Sequence, residues 1–281
     1  MIAPLPDLLI EPAVRAALAE DLGRAGDVTA AALLPAGERL TAVFAARAEG
    51  RVAGLACARL AVAALDPSAR FETVVADGGD VAAGGVIARI EGEARALLSA
   101  ERVALNYLGR LSGVASLTRA YVRAVESCKA KIVCTRKTTP GLRALEKYAV
   151  RCGGGTNHRF GLDDAILIKD NHVAACGGIG AALTRARAGA GHLMMIEVEV
   201  DSLGQLDEAI PFAPDVIMLD NFSLADLAEA VRRVAGRITL EASGGVNLAT
   251  VRAIAETGVD AISVGALTHS APVLDIGLDA V

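Results

Sequence analysis

Short apolar runs alternate with amphipathic segments from residue 131 onward, and this alternation is the feature that most constrains the fold. Six runs have the length of β-strands: Ile132–Thr135, Ala165–Lys169, Leu193–Val200, Val216–Leu219, Ile238–Glu241 and Ala261–Val264. Helical periodicity separates most of them, at Ile179–Ala188, Ser202–Ile210, Ser223–Val234 and Leu248–Thr257. Strands and helices in alternation predict parallel βαβ units. Because no GxGxxG motif follows the first strand, we favour a β/α barrel over a Rossmann sheet.

The residues before 131 predict a small α+β unit. A helix is expected at Pro12–Leu22, and strands are expected at Leu40–Ala48, Arg51–Cys57, Phe71–Ala76 and Val86–Glu91. The second of these strands passes into a helix that ends near Asp66. Two further helices are predicted at Glu93–Leu108 and Leu117–Val125.

The composition excludes several classes of function. The chain is 53% hydrophobic and 22% charged, which is typical of a compact globular protein. A net charge of −5 and the absence of tryptophan argue against nucleic-acid binding, which favours a basic face and stacking rings. No apolar run reaches the roughly 18 residues of a membrane span, and the N-terminus lacks the basic start of a signal peptide. We therefore expect a cytoplasmic protein with no membrane or nucleic-acid partner.

Cysteine and histidine motifs are absent. The five cysteines are an odd number without a CxxC pair, so we read them as reduced thiols rather than disulfides or zinc ligands. The four histidines show no HxH or HExxH spacing, and no GxSxG elbow occurs. Cys152 is interpreted as a small residue in a glycine loop rather than as a nucleophile.

The segment DGGDVAAGGVIARIEGE resembles the turn-and-strand pattern of lipoyl and biotinyl domains. That resemblance would make this half of the chain a carrier module. Because no lysine stands at the turn to take a cofactor, we favour a structural hairpin.

Charged or polar side chains follow five consecutive predicted strands. The pairs are Arg136 and Lys137, Lys169 and Asp170, Glu197 and Glu199, Asp220 and Asn221, and Glu241 and Ser243. In a β/α barrel the active site lies at the carboxyl ends of the strands, so these residues are predicted to share one rim. Residues two apart share a strand face, as Glu197 and Glu199 do and as Glu241 and Ser243 do. At least one glutamate is then expected to point towards the barrel axis, where only the basic residues can neutralise it.

The window from Lys131 to His172 supplies most of the positive charge on this rim. It contains Arg136, Lys137, His158, Arg159 and Lys169. Glycine-rich turns follow the last two strands, at Ser243–Asn247 and Ser263–Ser270, where backbone N–H groups and the following helix bind phosphate in many barrels. The residues alone therefore predict a barrel enzyme that acts on an anionic, phosphorylated compound.

The longest of these motifs resembles a known family. TRKTTPGLRALEKYAVRCGGGTNHRFGLDDAILIKDNH, with IEVEVDS, VIMLDN, LEASGG and ISVGALTHS, is similar to the carboxylating nicotinate-nucleotide pyrophosphorylases, also called quinolinate phosphoribosyltransferases. The similarity extends to EDLGRAGDVT near the start and EGEARALLSAERVALNYLGRLSG in the middle. The resemblance implies transfer of phosphoribosyl from phosphoribosyl pyrophosphate to quinolinate with decarboxylation, giving nicotinate mononucleotide, CO2 and pyrophosphate in de novo NAD biosynthesis.

The resemblance also implies an architecture. We expect an N-terminal α+β open sandwich over residues 1–108, joined by the tail 271–281, and an incomplete seven-stranded β/α barrel over residues 109–270. The pattern of apolar runs gives only six of those seven strands. Homodimers or higher even-numbered assemblies are expected, in which the N-terminal domain of one subunit covers the barrel mouth of its partner.

Individual site residues follow by position in the motifs. Quinolinate is expected at Arg136, His158, Arg159 and Lys169, and phosphoribosyl pyrophosphate near Lys137, with Arg102 lent across the dimer interface. Glu199 and Asp220 resemble the carboxylates that hold the ribose and Mg2+. Ser243, Gly244 and Gly265 resemble the 5′-phosphate cradle. The catalytic set is expected to be Lys137, Lys169, Glu199 and Asp220.

Chemistry supports this assignment and leaves two alternatives. Guanidinium groups bind adjacent carboxylates in a bidentate manner, which suits Arg136 and Arg159. No organic cofactor and no covalent enzyme intermediate are expected. One alternative is a related phosphoribosyltransferase of the molybdenum-operon branch that acts on another anionic ring, although the intact KDNH favours the quinolinate enzyme. The other is a non-catalytic metabolite-binding or carrier protein on the same barrel.

Overall fold

The structure, a computed structural model, describes residues 2–281. The strands are β1 Arg39–Ala46, β2 Gly50–Arg51, β3 Arg70–Thr73, β4 Asp80–Val81, β5 Val86–Glu93, β6 Lys131–Val133, β7 Ile166–Ile168, β8 Ile196–Val200, β9 Val216–Asp220, β10 Thr239–Ser243, β11 Ala261–Ser263 and β12 Ile276–Ala280. The helices are α1 Asp7–Leu22, α2 Val28–Leu33, α3 Leu55–Leu65, α4 Ala94–Ala124, α5 Arg143–Cys152, α6 Asp170–Cys176, α7 Ile179–Gly189, α8 Leu203–Ala209, α9 Leu224–Val234, α10 Val251–Glu256 and α11 Ala266–His269.

The chain divides into two compact units. The first comprises the residues up to Arg119 together with Thr138–Gly154 and Leu267–Val281, and the second comprises Ala120–Lys137 and Gly155–Ala266. The sequence placed a boundary after residue 108, which lies inside the long helix α4. The exact extent of the two domains stays a prediction.

The first unit is built on an antiparallel sheet with strand order β12-β1-β5-β3. The C-terminal strand β12 pairs with β1 in antiparallel register, for example Phe44 opposite Leu278. Phe44 is fully buried and lies 6.1 Å, between ring centroids, from Phe71 on β3. Helix α1 buries Ile10, Val14 and Leu18 at the spacing expected of one helix face. A short ribbon of β2 and β4 completes this unit.

Helix α4 is continuous from Ala94 to Ala124, so the predicted break between residues 108 and 117 is wrong. Its glycines at 109 and 113 make room for the C-terminal tail instead of ending the helix. A Cβ atom at Gly109 would lie 2.9 Å from the carbonyl oxygen of Leu274, and one at Gly113 would collide with that of Pro272. The tail is held in this groove by a hydrogen bond from Leu274 N–H to the Gly109 carbonyl oxygen at 3.0 Å.

The predicted strand Arg51–Cys57 is also wrong. Only Gly50 and Arg51 are extended, and the chain then turns at Gly54, whose φ of 103° lies in the left-handed region that favours glycine. Helix α3 begins at the next residue, Leu55. An apolar run as short as residues 51–57 fits a buried strand or the start of a buried helix equally well. The turn at Gly54, rather than the apolar run, therefore determines where the strand ends and the helix begins.

A buried ion pair stabilises the first unit. Glu146 is fully buried on α5 and accepts hydrogen bonds from the guanidinium of Arg110, the closer one at 2.7 Å. The same carboxylate accepts the backbone N–H of Thr139 at 3.0 Å and its hydroxyl at 2.8 Å. Arg110 also donates to the carbonyl oxygens of Thr268 and Ala271. One pair of charges therefore fixes both the segment before α5 and the start of the C-terminal tail.

The second unit contains a parallel sheet of six strands in the order β6-β11-β10-β9-β8-β7. Helices follow most of the strands, as the alternation of the sequence predicts. A seventh segment forms a single parallel bridge, between Thr156 and Val133 on β6. Strands β6 and β7 are the edges of the sheet, so this barrel is incomplete. The expected fold class is confirmed.

Strand β8 shows how this sheet separates its two faces. Ile196, Val198 and Val200 alternate with Glu197 and Glu199, and successive side chains in a strand point to opposite faces. The apolar three are all buried. Both glutamates therefore belong to the interior face, where the second unit places its polar groups.

Two further expectations concern the whole chain. All five cysteines are free thiols, and Cys57, Cys134 and Cys152 are buried. None of the helices in residues 2–281 is long and apolar enough to cross a membrane.

The groove on α4 gives the first prediction. We expect Gly113→Ala to lower the free energy of unfolding by about 2 kcal/mol or more, because overpacking against backbone cannot be relieved by a rotamer change. Urea unfolding followed by circular dichroism measures this. Gly204→Ala on α8 is the matched control, since a Cβ there meets no atom within 4 Å and alanine favours helix. Equal stability of the two variants would contradict the packing role of Gly113.

Candidate active site

A cavity of about 390 Å³ opens at the carboxyl ends of the parallel strands in the second unit. Its lining includes eight of the predicted residues: Arg136, Lys137, His158, Arg159, Lys169, Glu199, Asp220 and Ser243. The remaining lining residues are Thr135, Leu167, Met218, Glu241 and Ser263. Seven of the ten residues predicted at the strand ends therefore line one cavity, and Asp170, Glu197 and Asn221 are not among its lining residues.

His158 and Arg159 lie on the loop that precedes β7. The carboxylate of Asp164 holds the next part of this loop by accepting the backbone N–H groups of Phe160 and Gly161, at 2.6 and 2.9 Å. Arg159 itself donates through Nη1 to the carbonyl oxygen of Ala165, at 3.1 Å. These bonds fix the direction of both basic side chains before any ligand binds.

The guanidinium group of Arg159 has the properties of an anion-binding group. Its Nε is buried without a hydrogen-bond partner in the protein, which is costly for a cationic donor. Burial lowers the pKa of the guanidinium, and the positive charge of Arg136 lowers it further. Arginine nevertheless stays charged, so the two guanidinium groups repel each other until an anion lies between them.

Lys169 and Glu199 form an ion pair between the carboxyl ends of β7 and β8. Nζ of Lys169 lies 2.9 Å from Oε2 of Glu199. Asp220, at the end of β9, accepts the side-chain amide of Asn221 at 2.7 Å. Glu199 and Asp220 also line a neighbouring cavity together with Asp170 and Asp201.

Beneath the rim lies a buried cluster of His158, Glu197 and Glu241. One ligating atom from each lies within 4.8 Å of the others. Nδ1 of His158 accepts the backbone N–H of Arg159 at 2.7 Å, so the ring proton belongs on Nε2, which is 2.9 Å from Oε2 of Glu197. The Nε2 to Glu241 Oε1 distance is 3.8 Å, too long for a hydrogen bond.

Glu241 has an unusual protonation state. Burial, and then the charge of Glu197, raise its pKa to about 7 from the ordinary value of 4.5. Only 5% of its side chain and 9% of the Glu197 side chain is exposed, and Oε1 of each has no hydrogen-bond partner. A buried carboxyl without an ion-pair partner favours the neutral form.

The turn after β10 is shaped by close backbone approach. Gly244 has a φ of 95°, and a Cβ there would lie 2.9 Å from the backbone nitrogen of Asn221 and would collide with its side chain. Asn221 is itself left-handed, with a φ of 56°, and donates its N–H to the carbonyl oxygen of Ser243 at 2.9 Å. The ends of β9 and β10 are thereby locked together. Gly265 follows β11 by two residues.

Arg102 is the one predicted side chain that belongs to the first unit. It is exposed on α4 and lines a separate cavity with residues of α1, among them Glu20 and Asp21. It is not among the described residues that line the barrel cavity.

The sequence did not assign a role to Glu197 or Glu241. The signal was present, because Glu197 precedes Glu199 by two residues, as Glu241 precedes Ser243, and each pair shares a strand face. What could not be read is the contact with His158, which lies on a loop far away in the chain.

A β/α-barrel enzyme for a multiply charged anion is the class that this fold and cavity define. Comparison with known proteins gives the family. The quinolinate phosphoribosyl transferase C-terminal domain matches residues 114–279, and the N-terminal domain of the same family matches residues 27–112. The chain belongs to the quinolinate phosphoribosyltransferase family.

Individual relatives agree with this placement. The chain is 47% identical to the nicotinate-nucleotide pyrophosphorylase (carboxylating) of Mycobacterium leprae over 95% of each chain. It is 41% identical to quinolinate phosphoribosyltransferase (decarboxylating) 1b of Nicotiana tabacum, over 97% of this chain and 83% of that one. The solved structure of the Francisella tularensis nicotinate-nucleotide pyrophosphorylase superposes with a TM-score of 0.96 at 40% identity, covering 100% and 99% of the two chains. The resemblance seen in the motifs is confirmed, and the protein is an enzyme of the pentosyltransferase class.

The turn after β10 gives the second prediction. Gly244→Ala is expected to lower kcat/KM at least about tenfold, since a strained φ and the contact with Asn221 together cost on the order of 1–3 kcal/mol. Steady-state kinetics measures this. Gly245→Ala in the same turn also places alanine at a left-handed φ, of 59°, but its Cβ meets no atom within 4 Å, so it should lose less kcat/KM than Gly244→Ala. If Gly244→Ala has the kcat/KM of the wild type, the close contact between residue 244 and Asn221 has no functional consequence.

Proposed function

We propose that this cavity carries out the family reaction as follows. The chain transfers phosphoribosyl from phosphoribosyl pyrophosphate to the ring nitrogen of quinolinate and releases CO2 and pyrophosphate, giving nicotinate mononucleotide for NAD biosynthesis. The observation that carries the proposal is the meeting of Arg136, Arg159 and Lys169 with Glu199 and Asp220 in one cavity. Such a site offers cations for a dicarboxylate and carboxylates for a developing cation.

The basic side of the cavity is proposed to bind quinolinate. Its two adjacent carboxylates suit the planar guanidinium groups of Arg136 and Arg159, which bind carboxylates in a bidentate manner. A carboxylate would give a hydrogen-bond partner to the Nε of Arg159, which is buried without one. Lys169 adds a third cation, and the His158 ring forms part of the cavity wall.

The opposite side is proposed to hold the sugar and its phosphates. The carboxylates of Glu199 and Asp220 would accept hydrogen bonds from the ribose hydroxyls, and Lys137 would neutralise the pyrophosphate. Ser243, Gly244 and Gly265 would form the cradle of the 5′-phosphate, because glycine turns after late barrel strands expose backbone N–H groups. The φ of 95° at Gly244 supports this function for the turn.

Glu199 and Asp220 are proposed to hold Mg2+, in part through water. Carboxylate oxygens are the ligands that Mg2+ prefers. The cavity beside them also contains Asp170 and Asp201, and no lysine or arginine is among its described lining residues, so the donor set fits this ion. Bound Mg2+ would neutralise pyrophosphate as it leaves.

The residues then divide the reaction into two parts. Departure of pyrophosphate leaves positive charge on the anomeric carbon, which the carboxylates of Glu199 and Asp220 stabilise. Once bonded to ribose, the ring nitrogen is cationic, and its positive charge stabilises the electron pair that stays on the adjacent ring carbon when the carboxylate leaves as CO2. This chemistry uses no organic cofactor and no covalent bond to the enzyme.

A homodimer or higher even-numbered assembly is proposed, with Arg102 donated to the active site of the partner. Arg102 is exposed and lies beside Glu20 and Asp21 in the first unit, where no substrate role is apparent within a single chain. A guanidinium from a partner would add to the cations that face quinolinate. We also infer a cytoplasmic enzyme, since five cysteines that form no disulfide fit a reducing compartment.

Release of labelled CO2 from carboxyl-labelled quinolinate tests the proposed reaction. We expect release only when phosphoribosyl pyrophosphate and Mg2+ are both present, because decarboxylation needs the cationic ring nitrogen. Protein that is folded by circular dichroism but releases no CO2 would overturn the substrate assignment. Release without phosphoribosyl pyrophosphate would contradict the coupling of the two steps.

Subunit mixing tests the shared site. Arg102→Ala and Arg136→Ala should each be nearly inactive, whereas their mixture should recover up to about a quarter of wild-type activity, since half of the dimers are hybrids with one intact site. Activity after subunit exchange, confirmed by native mass spectrometry of tagged chains, measures this. Exchange without recovery would place Arg102 in the site of its own chain or outside any site.

A further inference from the structure

The reaction requires a proton at the ring carbon that loses CO2. When the bond to the carboxylate breaks, its electron pair stays on that carbon, beside the cationic ring nitrogen. The product carries hydrogen at this position, so an acid must deliver a proton to that carbon within the cavity. The residues that bind the substrates do not by themselves supply one.

Most ionisable side chains of the cavity already hold their protons in hydrogen bonds or ion pairs with other residues. Lys169 is paired with Glu199 at 2.9 Å. His158 accepts a backbone N–H at Nδ1 and directs its Nε2 proton at Glu197. The arginines do not give up protons. Glu241 is different: it lines the cavity, and its Oε1 has no hydrogen-bond partner.

We propose that Glu241 is the acid that protonates the ring carbon from which CO2 departs. In this step the O–H bond of Glu241 breaks as the C–H bond forms, and the electron pair left by CO2 becomes that C–H bond. Glu241 is left as a carboxylate and regains its proton from water once the product leaves. The inference rests on the proposed reaction.

The surroundings of Glu241 keep it protonated. Burial and the Glu197 carboxylate raise its pKa to about 7, so a large fraction is neutral near neutral pH. The charged or titratable groups that face it are Glu197 on β8 and His158 on its loop. The neighbouring strands contribute Met218 and Ser263 to the same cavity. The Ser263 hydroxyl and His158 act to lower the pKa of Glu241, but burial and Glu197 outweigh them. An acid with a pKa near the working pH is the most effective proton donor.

Glu197 is the positioning residue of this arrangement. It accepts the His158 proton through Oε2 at 2.9 Å, while its Oε1 stays within the cluster. Its negative charge keeps the proton on Glu241, and its bond to His158 keeps that ring from competing as the donor. Each of the three side chains therefore has a separate function.

Glu241→Gln tests the proposal, because glutamine has the same shape but cannot donate this proton. In a single turnover with enzyme in excess, pyrophosphate formation should remain within about threefold of wild type. CO2 release should slow about 10²-fold or more, the usual contribution of a general acid. Without the proton the carbanion recaptures CO2, so quinolinate mononucleotide should accumulate. Rapid quenching with separate assays of pyrophosphate and CO2 measures both steps.

Glu199→Gln is the matched comparison, on the neighbouring rim of the same cavity. In this variant the rates of pyrophosphate formation and CO2 release should fall by the same factor, because Glu199 acts in phosphoribosyl transfer, the step before decarboxylation. Glu241→Asp keeps the acid and should keep CO2 release coupled to pyrophosphate release, even if both are slower. The proposal is overturned if Glu241→Gln slows both products equally, or neither. Wild-type enzyme that releases no CO2 would instead refute the proposed reaction itself.

Discussion

Parallel strands end at one edge of a sheet, and in this protein that edge forces charges of both signs into one cavity. Glu197 and Glu241 lie almost entirely out of water, where an unpaired carboxylate is unfavourable by several kcal/mol. The structure compensates in two ways. His158 donates a hydrogen bond to Glu197 at 2.9 Å, and burial raises the pKa of Glu241 to about 7. The rest of the cavity is arranged around this buried cluster.

The two signs of charge come from different parts of the sheet. Basic residues follow the edge strands β6 and β7, or lie on the loop before β7, whereas Glu199, Asp220 and Glu241 come from the interior strands β8, β9 and β10. Strands β6 and β7 are the two edges of the sheet and share no ladder. In the proposed reaction the basic residues near these edge strands bind the dicarboxylate, and the carboxylates of the interior strands face the sugar. Strand order therefore separates the two kinds of charge that the proposal assigns to the ring and to the ribose.

Much of this could be predicted from the sequence, because local pattern decides local structure. Six apolar runs gave the six strands, and the charged residues after them gave most of the cavity lining. The errors came from contacts between distant segments. Two helices were predicted, ending at residue 108 and beginning at residue 117, but the helix is continuous and Gly109 and Gly113 between them make room for Leu274 and Pro272 of the tail. Glu241 had no assigned role because its importance depends on His158 and Glu197, which lie on other elements.

Two glutamates on nearby strands show how environment decides chemistry. Glu199 has Lys169 at 2.9 Å and lies at the rim, so it is held as an anion that can stabilise positive charge. Glu241 lies deeper and has no cationic ion-pair partner at hydrogen-bond distance, so it is held as an acid that can neutralise negative charge. Phosphoribosyl transfer develops a cation and decarboxylation develops a carbanion. In the proposed mechanism the two steps use one ionised carboxylate, Glu199, and one protonated carboxyl group, Glu241. A lysine placed beside Glu241 would ionise it and remove the acid, while leaving the Glu199 carboxylate unchanged.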